Sequence, residues 1–235
     1  MYKDKSILVV VPARGGSKGI KFKNIYPLAG KPLIAYTAET ISLLDFVDRA
    51  VVSTDNEKIG DIAKQYGLSV PFLRPPELSE DIVSDWDVLV HALLKTEQAD
   101  NRKYDVVIML QPTCPLRKTQ HVKDALNRLV EGGYDSVWTL SPTDSKAHPL
   151  KQLVLQGDLI EYYDPQGANI IARQQLKTVY HVNGAAYAIT RECLLEKKSK
   201  KGDRCSAIII EEQLANIDTE QDIAFAEFLL QQKQI

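Results

Sequence analysis

The chain has 235 residues, 44% hydrophobic and 26% charged, which fits one soluble α/β domain with a small appendage. A net charge of −2 excludes a protein that coats nucleic acid through a broad basic face. No apolar run approaches the ~20 residues of a bilayer span, so no membrane segment is expected, and the polar stretch at 1–5 gives no signal peptide.

In chain order, short β-branched runs alternate with longer amphipathic ones. A strand is predicted over residues 6–11, a helix over 31–44, a strand over 49–53, and helices over 56–66 and 85–96. A strand over 105–110 and a helix over 119–131 follow. Strands over 136–140, 185–189 and 207–210 and a helix over 219–232 complete the pattern. Runs such as Val9-Val10-Val11 suit strands buried on both faces. The βαβα order predicts an α/β fold: a mostly parallel sheet with helices on both faces, in one domain over 1–235. Residues 142–182 break the rhythm with scattered Pro and Gly and short strand-like pieces. They read as an inserted, hairpin-like subdomain that serves dimer contacts. Cys114, Cys193 and Cys205 are widely spaced and form no CxxC, so they read as reduced thiols of a cytoplasmic protein.

In such sheets ligands bind beyond the carboxyl ends of the strands. The predicted strand exits carry Arg14 to Asn24, Thr54-Asp55, Gln111-Pro112-Thr113 and Asn216-Ile217-Asp218. The first exit is the most telling. Gly15-Gly16-Ser17-Lys18-Gly19 is neither a GxxxxGK[ST] nor a GxGxxG loop. It is a glycine-containing turn in a window that holds Arg14, Lys18, Lys21, Lys23 and Lys31. Charge concentrated this way points to a compact anion, a nucleoside triphosphate handled by side-chain cations.

The stretches Val11-Pro12-Ala13-Arg14-Gly15-Gly16-Ser17-Lys18-Gly19, Lys23-Asn24-Ile25 and Gly30-Lys31-Pro32-Leu33 are followed in order by four more. These are Val51-Val52-Ser53-Thr54-Asp55, Pro71-Phe72-Leu73-Arg74-Pro75, Leu110-Gln111-Pro112-Thr113-Cys114-Pro115-Leu116-Arg117 and Asn183-Gly184-Ala185-Ala186-Tyr187. Together they resemble the N-acylneuraminate cytidylyltransferases, the CMP-sialic acid synthetases, along nearly the whole chain. The resemblance implies a Rossmann-like nucleotidyltransferase and a homodimer with shared active sites. The implied reaction joins CTP to a nine-carbon α-keto acid sugar and releases pyrophosphate, with Mg²⁺ or Mn²⁺ as cofactor.

By position, the resemblance assigns Arg14, Lys18 and Lys23 to the CTP phosphates and Asn24 and Arg74 to the nucleotide. Lys23, with Arg14 as its partner, is the cation nearest the reacting phosphorus. Gln111, Thr113, Asn183 and Tyr187 fall at the acceptor sugar, and Arg173 at its carboxylate, reaching in from the partner subunit. Two other readings stay open: a Kdo-type cytidylyltransferase for an eight-carbon sugar, and a catalytically silent nucleotide-binding regulatory domain.

Several residues carry two readings. Arg74 either meets the nucleotide or bridges loop carbonyls. Ser84 is a natural N-cap for the helix at 85–96 and lies near the cytosine-reading segment. Asp87 and His91, at i and i+4, could share a metal or be structural. Lys21 replaces a Pro common in the family and reads as solvated. Asn216 stands where the family commonly has Asp, leaving Asp218 and a neutral amide as the expected metal ligands. Asp218 also reads, with Gln221, as a capping box for the last helix.

Overall fold

In the computed structural model, which describes residues 1–232, the first apolar run forms β1 (Ile7–Pro12), and Ile7 to Val11 are fully buried. A two-residue hairpin, β2 (Pro27–Leu28) and β3 (Lys31–Pro32), leads into α1 (Leu33–Ser42). Then come β4 (Arg49–Ser53), α2 (Glu57–Gln65), α3 (Asp85–Asp100), β5 (Val106–Met109) and α4 (Thr119–Gly132). The second half contains β6 (Ser136–Pro142), β7 (Leu153–Gln156), β8 (Leu159–Tyr162), β9 (Tyr180–Thr190), α5 (Arg191–Leu195), β10 (Cys205–Ile209) and α6 (Glu220–Gln232).

The main sheet has the order β10-β6-β9-β5-β1-β4. Its ladders are parallel except at β9, which runs antiparallel between β5 and β6. This is a Rossmann-like, mostly parallel α/β sheet, as the alternation of elements predicted. Period-two alternation along β1 divides its side chains between two cores. Ile7, Val9 and Val11 pack with α1, α2 and α4, whereas Leu8 and Val10 pack with α3 and α5. Each side chain buried in this way contributes about 1.5–3 kcal/mol relative to exposure. A third cluster, around Ile20, Leu28, Leu33, Ile217 and Ile223, fastens α6 to the segment after β1.

Besides the β2–β3 hairpin, three features were not in the sequence reading. α3 continues to Asp100 and closes on Asn101 at φ 47°, a left-handed position that Asn tolerates. α5 is a short helix capped by Thr190, whose hydroxyl accepts from Cys193 N–H. β9 begins at Tyr180, not 185, because it keeps pairing with β6 past a register shift, out to Pro142↔Tyr180. The 142–182 segment therefore grows out of two paired strands. Its tip is the β7–β8 hairpin, turned at Gly157 with φ 63°. That hairpin exposes Leu153, Leu155, Leu159, Ile160 and Tyr162. Among the described residues, no helix is long and apolar enough to cross a membrane.

Candidate active site

The loop after β1 is held from both sides. Ala13 N–H donates to Ser53 O at 2.9 Å, Gly15 N–H to Asp55 Oδ1 at 2.8 Å, and the Asn24 amide to Arg14 O at 2.9 Å. Gly15 has thus spent its N–H within the protein, and the loop's charge comes from side chains. Gly19 lies so close to the chain before α6 that an added Cβ would sit 2.3 Å from Asp218 O. Glycine is needed there to bring the loop and Asp218 together.

A cavity of about 440 Å³ opens at this junction. Arg14, Lys18, Lys23, Asn24, Arg74, Gln111, Thr113 and Asp218 all line it. Eight residues from four separate strand exits or loops therefore meet where the open-sheet rule puts a ligand. Lys21 and Lys31 do not line it: Lys21 lies over the Phe22 ring, and Lys31 pairs with Glu39 at 2.6 Å.

The cations are already closed on carboxylates. Asp81 places one oxygen 2.8 Å from Arg14 Nη2 and the other 2.6 Å from Lys18 Nζ. Lys18 and Arg14 thereby hold the Asp81 carboxyl below the usual carboxylate range. Lys23 Nζ lies 2.6 Å from Asp218 Oδ1. Arg74 differs. It is buried, its Nε donates to Ser53 Oγ at 3.0 Å, Nη2 donates to Ser53 O, and no carboxylate pairs with it among the described residues. Burial pushes its guanidinium down to about 10. Arg74 bridges the carbonyls of Ser53 and Leu78 and also lines the cavity.

The capping box of α6 is one residue later than the sequence suggested. Thr219, not Asp218, accepts from Asp222 N–H, and Asp222 Oδ2 accepts from the N–H groups of Asp218 and Thr219 at 3.0 and 2.8 Å. This corrects the pairing of Asp218 with Gln221. The Thr219 hydroxyl takes the cap, and the Asp218 carboxylate pairs with Lys23 at the cavity instead.

A second cavity, about 520 Å³, lies beyond Gln111 and is lined by Asn183, Asn216, His181, Ser141, Asp144 and Glu212, among others. A Cβ at Gly184, which has φ 72°, would lie 2.6 Å from Gln111 Oε1 and 3.7 Å from Asn216 Oδ1. Gly184 thus stands between the two cavities. The structure separates the two expected metal ligands: Asp218 lines the first cavity, Asn216 the second, and the buried Ile217 lies between them in the chain.

Arg117 braces this partition, a role the sequence did not reveal. It is buried, donates to the carbonyls of Gln111, Ala185 and Gly184, and reaches Thr37 Oγ1 at 3.0 Å. Asn183 is also buried. Its Oδ1 accepts from Thr139 Oγ1 at 2.7 Å and its amide donates to Ser141 Oγ at 3.0 Å.

Other expected residues lie elsewhere. The Ser84 hydroxyl is occupied as the cap of α3, donating to Asp87 Oδ2 at 2.7 Å and accepting from Asp87 N–H at 3.2 Å. Tyr187 is buried behind the wall, edge-on to Trp138, and burial pushes its phenol up to about 12. Arg173 is exposed on a short 3₁₀ turn and lines neither cavity of its own chain. His91 packs edge-on against Phe72, so it and Asp87 form no shared site. Among the described residues, no three His, Cys, Asp or Glu side chains converge. A divalent ion still suits the first cavity if Asp218 is its single protein carboxylate and phosphate oxygens and water complete its shell, the usual arrangement for Mg²⁺.

Comparison with known proteins gives a consistent result. Residues 8–234 match the cytidylyltransferase family. The chain is 34% identical over 230 residues to a CMP-N,N'-diacetyllegionaminic acid synthase of Legionella pneumophila, covering 97% of each. It is 33% identical over 219 residues to an N-acylneuraminate cytidylyltransferase of Streptococcus agalactiae, covering 92% of this chain and 51% of that one. A solved CMP:2-keto-3-deoxy-manno-octonic acid synthetase complexed with CTP superimposes with a TM-score of 0.71. That pair shares 18% identity, with 97% and 99% of the two chains covered, and the likeness bears on the fold alone.

Proposed function

The chain belongs to the cytidylyltransferase family, and from that premise we propose that it joins CTP to a nonulosonic acid, giving a CMP-sugar and pyrophosphate. The observation that carries this reading is the Arg14–Lys18 pair closed on both oxygens of Asp81. It is a clamp of the size and charge of a phosphate edge, held beside Lys23 and Asp218.

On this reading the triphosphate replaces Asp81, and Arg14 and Lys18 hold its oxygens. The acceptor's anomeric hydroxyl attacks the α-phosphorus in line and releases its proton to water, the bond to the oxygen bridging to the β-phosphorus breaks, and pyrophosphate leaves. Lys23 lies against the charge that grows on the equatorial and leaving oxygens, where a fixed cation lowers the barrier most. Asp218 holds Lys23 in place and would be the protein carboxylate for Mg²⁺ or Mn²⁺, which would supply further positive charge for the pyrophosphate. The second cavity takes the acceptor sugar, with Asn183 and Asn216 as hydrogen-bonding groups and Gln111 and Thr113 at the junction.

The acceptor is an acid, yet no Lys or Arg lines the second cavity among the described residues. This supports a homodimer in which Arg173 of the partner subunit clamps the carboxylate. The apolar β7–β8 hairpin, with Leu155 74% and Leu159 70% exposed, supports the same arrangement. We place the reaction in the cytoplasm, where CTP is available.

The test is pyrophosphate release from CTP with a panel of acceptors: N-acetylneuraminate, legionaminate, pseudaminate and Kdo. Release that requires a nine-carbon acid and a divalent ion is expected. Release with Kdo alone would select the eight-carbon reading. No release with any acceptor, despite CTP binding, would select a silent regulatory domain.

A further inference from the structure

We propose that Phe22 is the positioning residue of Lys23: packing around its ring holds its backbone in the left-handed region, and that turn delivers the Lys23 ammonium to the phosphate end of the first cavity. The inference rests on the CTP reading above, in which Lys23 meets the charge that grows in the transition state. It extends that reading to a residue outside the cavity.

Phe22 has φ 55° and ψ 37°. Among the described residues it is the one aromatic side chain at positive φ. The Cβ of an L residue crowds the backbone there, so glycine or asparagine usually takes such a position. A bulky residue keeps it only where its surroundings enforce it, and residues of this kind cluster at functional sites. Phe22 directly precedes Lys23.

The chain has little room for another path. Ile20 is buried in the cluster that fastens α6, and Ile25 packs against the core beneath α1 and α2. Only four residues separate these anchors. Lys23 N–H donates to Ile20 O at 3.1 Å and Ile25 N–H to Phe22 O at 2.9 Å, so two successive turns overlap at Phe22. Asn24, just beyond, is buried and its amide reaches back to Arg14 O at 2.9 Å. Lys23 is thereby left at the cavity, largely covered, with Nζ 2.6 Å from Asp218 Oδ1.

The ring supplies what holds the turn. Phe22 is half-buried and does not line the cavity. The Lys58 ammonium, from the first turn of α2, lies 5.5 Å from its ring centre, and that of Lys21 lies 5.8 Å away. A cation over an aromatic ring is attracted by the ring's quadrupole. The ring is so tied to the end of α2 beside Asp55, the residue that holds Gly15 of the phosphate loop. Glycine at position 22 would adopt this φ without strain but would leave the turn free to take others. Phenylalanine restricts the turn, and with it the place of a cation that acts only if it is preorganised.

The experiment measures kcat and the KM for CTP in wild type, Phe22→Gly, Phe22→Ala, Phe22→Tyr, and Phe22→Gly in a Lys23→Ala background. A thermal melt accompanies each. Phe22→Gly should melt higher than Phe22→Ala, because glycine relieves the φ that alanine keeps. Both should nevertheless lower kcat by about tenfold or more, since a group misplaced by about 1 Å can cost about 10²-fold. The KM for CTP should change little, because Arg14 and Lys18 still hold the triphosphate. Phe22→Tyr keeps the ring and should keep most of the wild-type kcat. In the Lys23→Ala background Phe22→Gly should cost no further kcat, because no ammonium remains to be placed. A wild-type kcat in Phe22→Gly, or losses that multiply in the double variant, would overturn this inference and leave the CTP reading standing. A wild type that turns over no CTP with any acceptor would overturn both.

Discussion

The two cavities, with Gly184 between Gln111 of the first and Asn216 of the second, differ in charge and in how the chain builds them. The first holds Arg14, Lys18, Lys23 and Arg74, three of them from one loop of ten residues after β1. The second has no Lys or Arg among its described lining residues and carries Asp144, Glu211 and Glu212. It is assembled from the end of β6, the start of β9 and the 210–216 segment. A polyanion needs several cations, and one loop can supply them. A sugar acid needs many neutral hydrogen bonds and one cation, and on the proposed reading that cation comes from the partner subunit. On that reading the contrast is between a site complete in one chain and a site completed by two.

The largest expected effect lies at the first cavity. Lys23→Ala should lower kcat by about 10²–10³, the cost of removing one group that stabilises developing charge. Asp218→Ala should reduce turnover at least as much, with the melting temperature close to wild type because Thr219 caps α6. If Lys23→Ala raises only the KM for CTP, Lys23 binds the ground state and the mechanism needs another cation.

The next effect tests whether the second site is shared. Arg173→Ala should raise the acceptor KM at least tenfold, as for loss of a charge-assisted hydrogen bond to a carboxylate. Its KM for CTP should change little. Mixed dimers of Arg173→Ala with Lys23→Ala should regain activity, since one of their two sites is intact. Verified mixed dimers that stay inactive would place Arg173 outside the site.

A smaller effect separates the two cavities at their partition. Asn216→Asp adds a negative charge where an acid is proposed to bind, so the acceptor KM should rise about tenfold, or ~1.4 kcal/mol. The Mg²⁺ concentration for half-maximal rate should stay the same. If that concentration falls instead, Asn216 belongs to the metal's shell and the division between the cavities fails there. The smallest effect is on stability alone: Thr219→Ala should cost about 1 kcal/mol in a melt, as for other lost caps, with kcat unchanged.

Much of this molecule is determined by local sequence. The alternation of β-branched and amphipathic runs was sufficient to mark the six strands of the sheet and the helices α1 to α4 and α6, because period and burial are local properties of the chain. The cationic loop was equally legible, since Arg14, Lys18 and Lys23 are close in sequence and act through side chains. What the tertiary structure alone decided are the long-range meetings. Gly19 lies against Asp218 and Gly184 lies between Gln111 and Asn216, contacts that depend on how separate segments pack. The buried Arg117 brace and the Lys200–Asp85 pair join residues far apart in sequence and follow no local periodicity. The cap of α6 shows the same limit at short range. The sequence reading assigns that cap to Asp218 with Gln221, whereas the packing of Gly19 and Lys23 against Asp218 puts this residue at the cavity and Thr219 caps the helix.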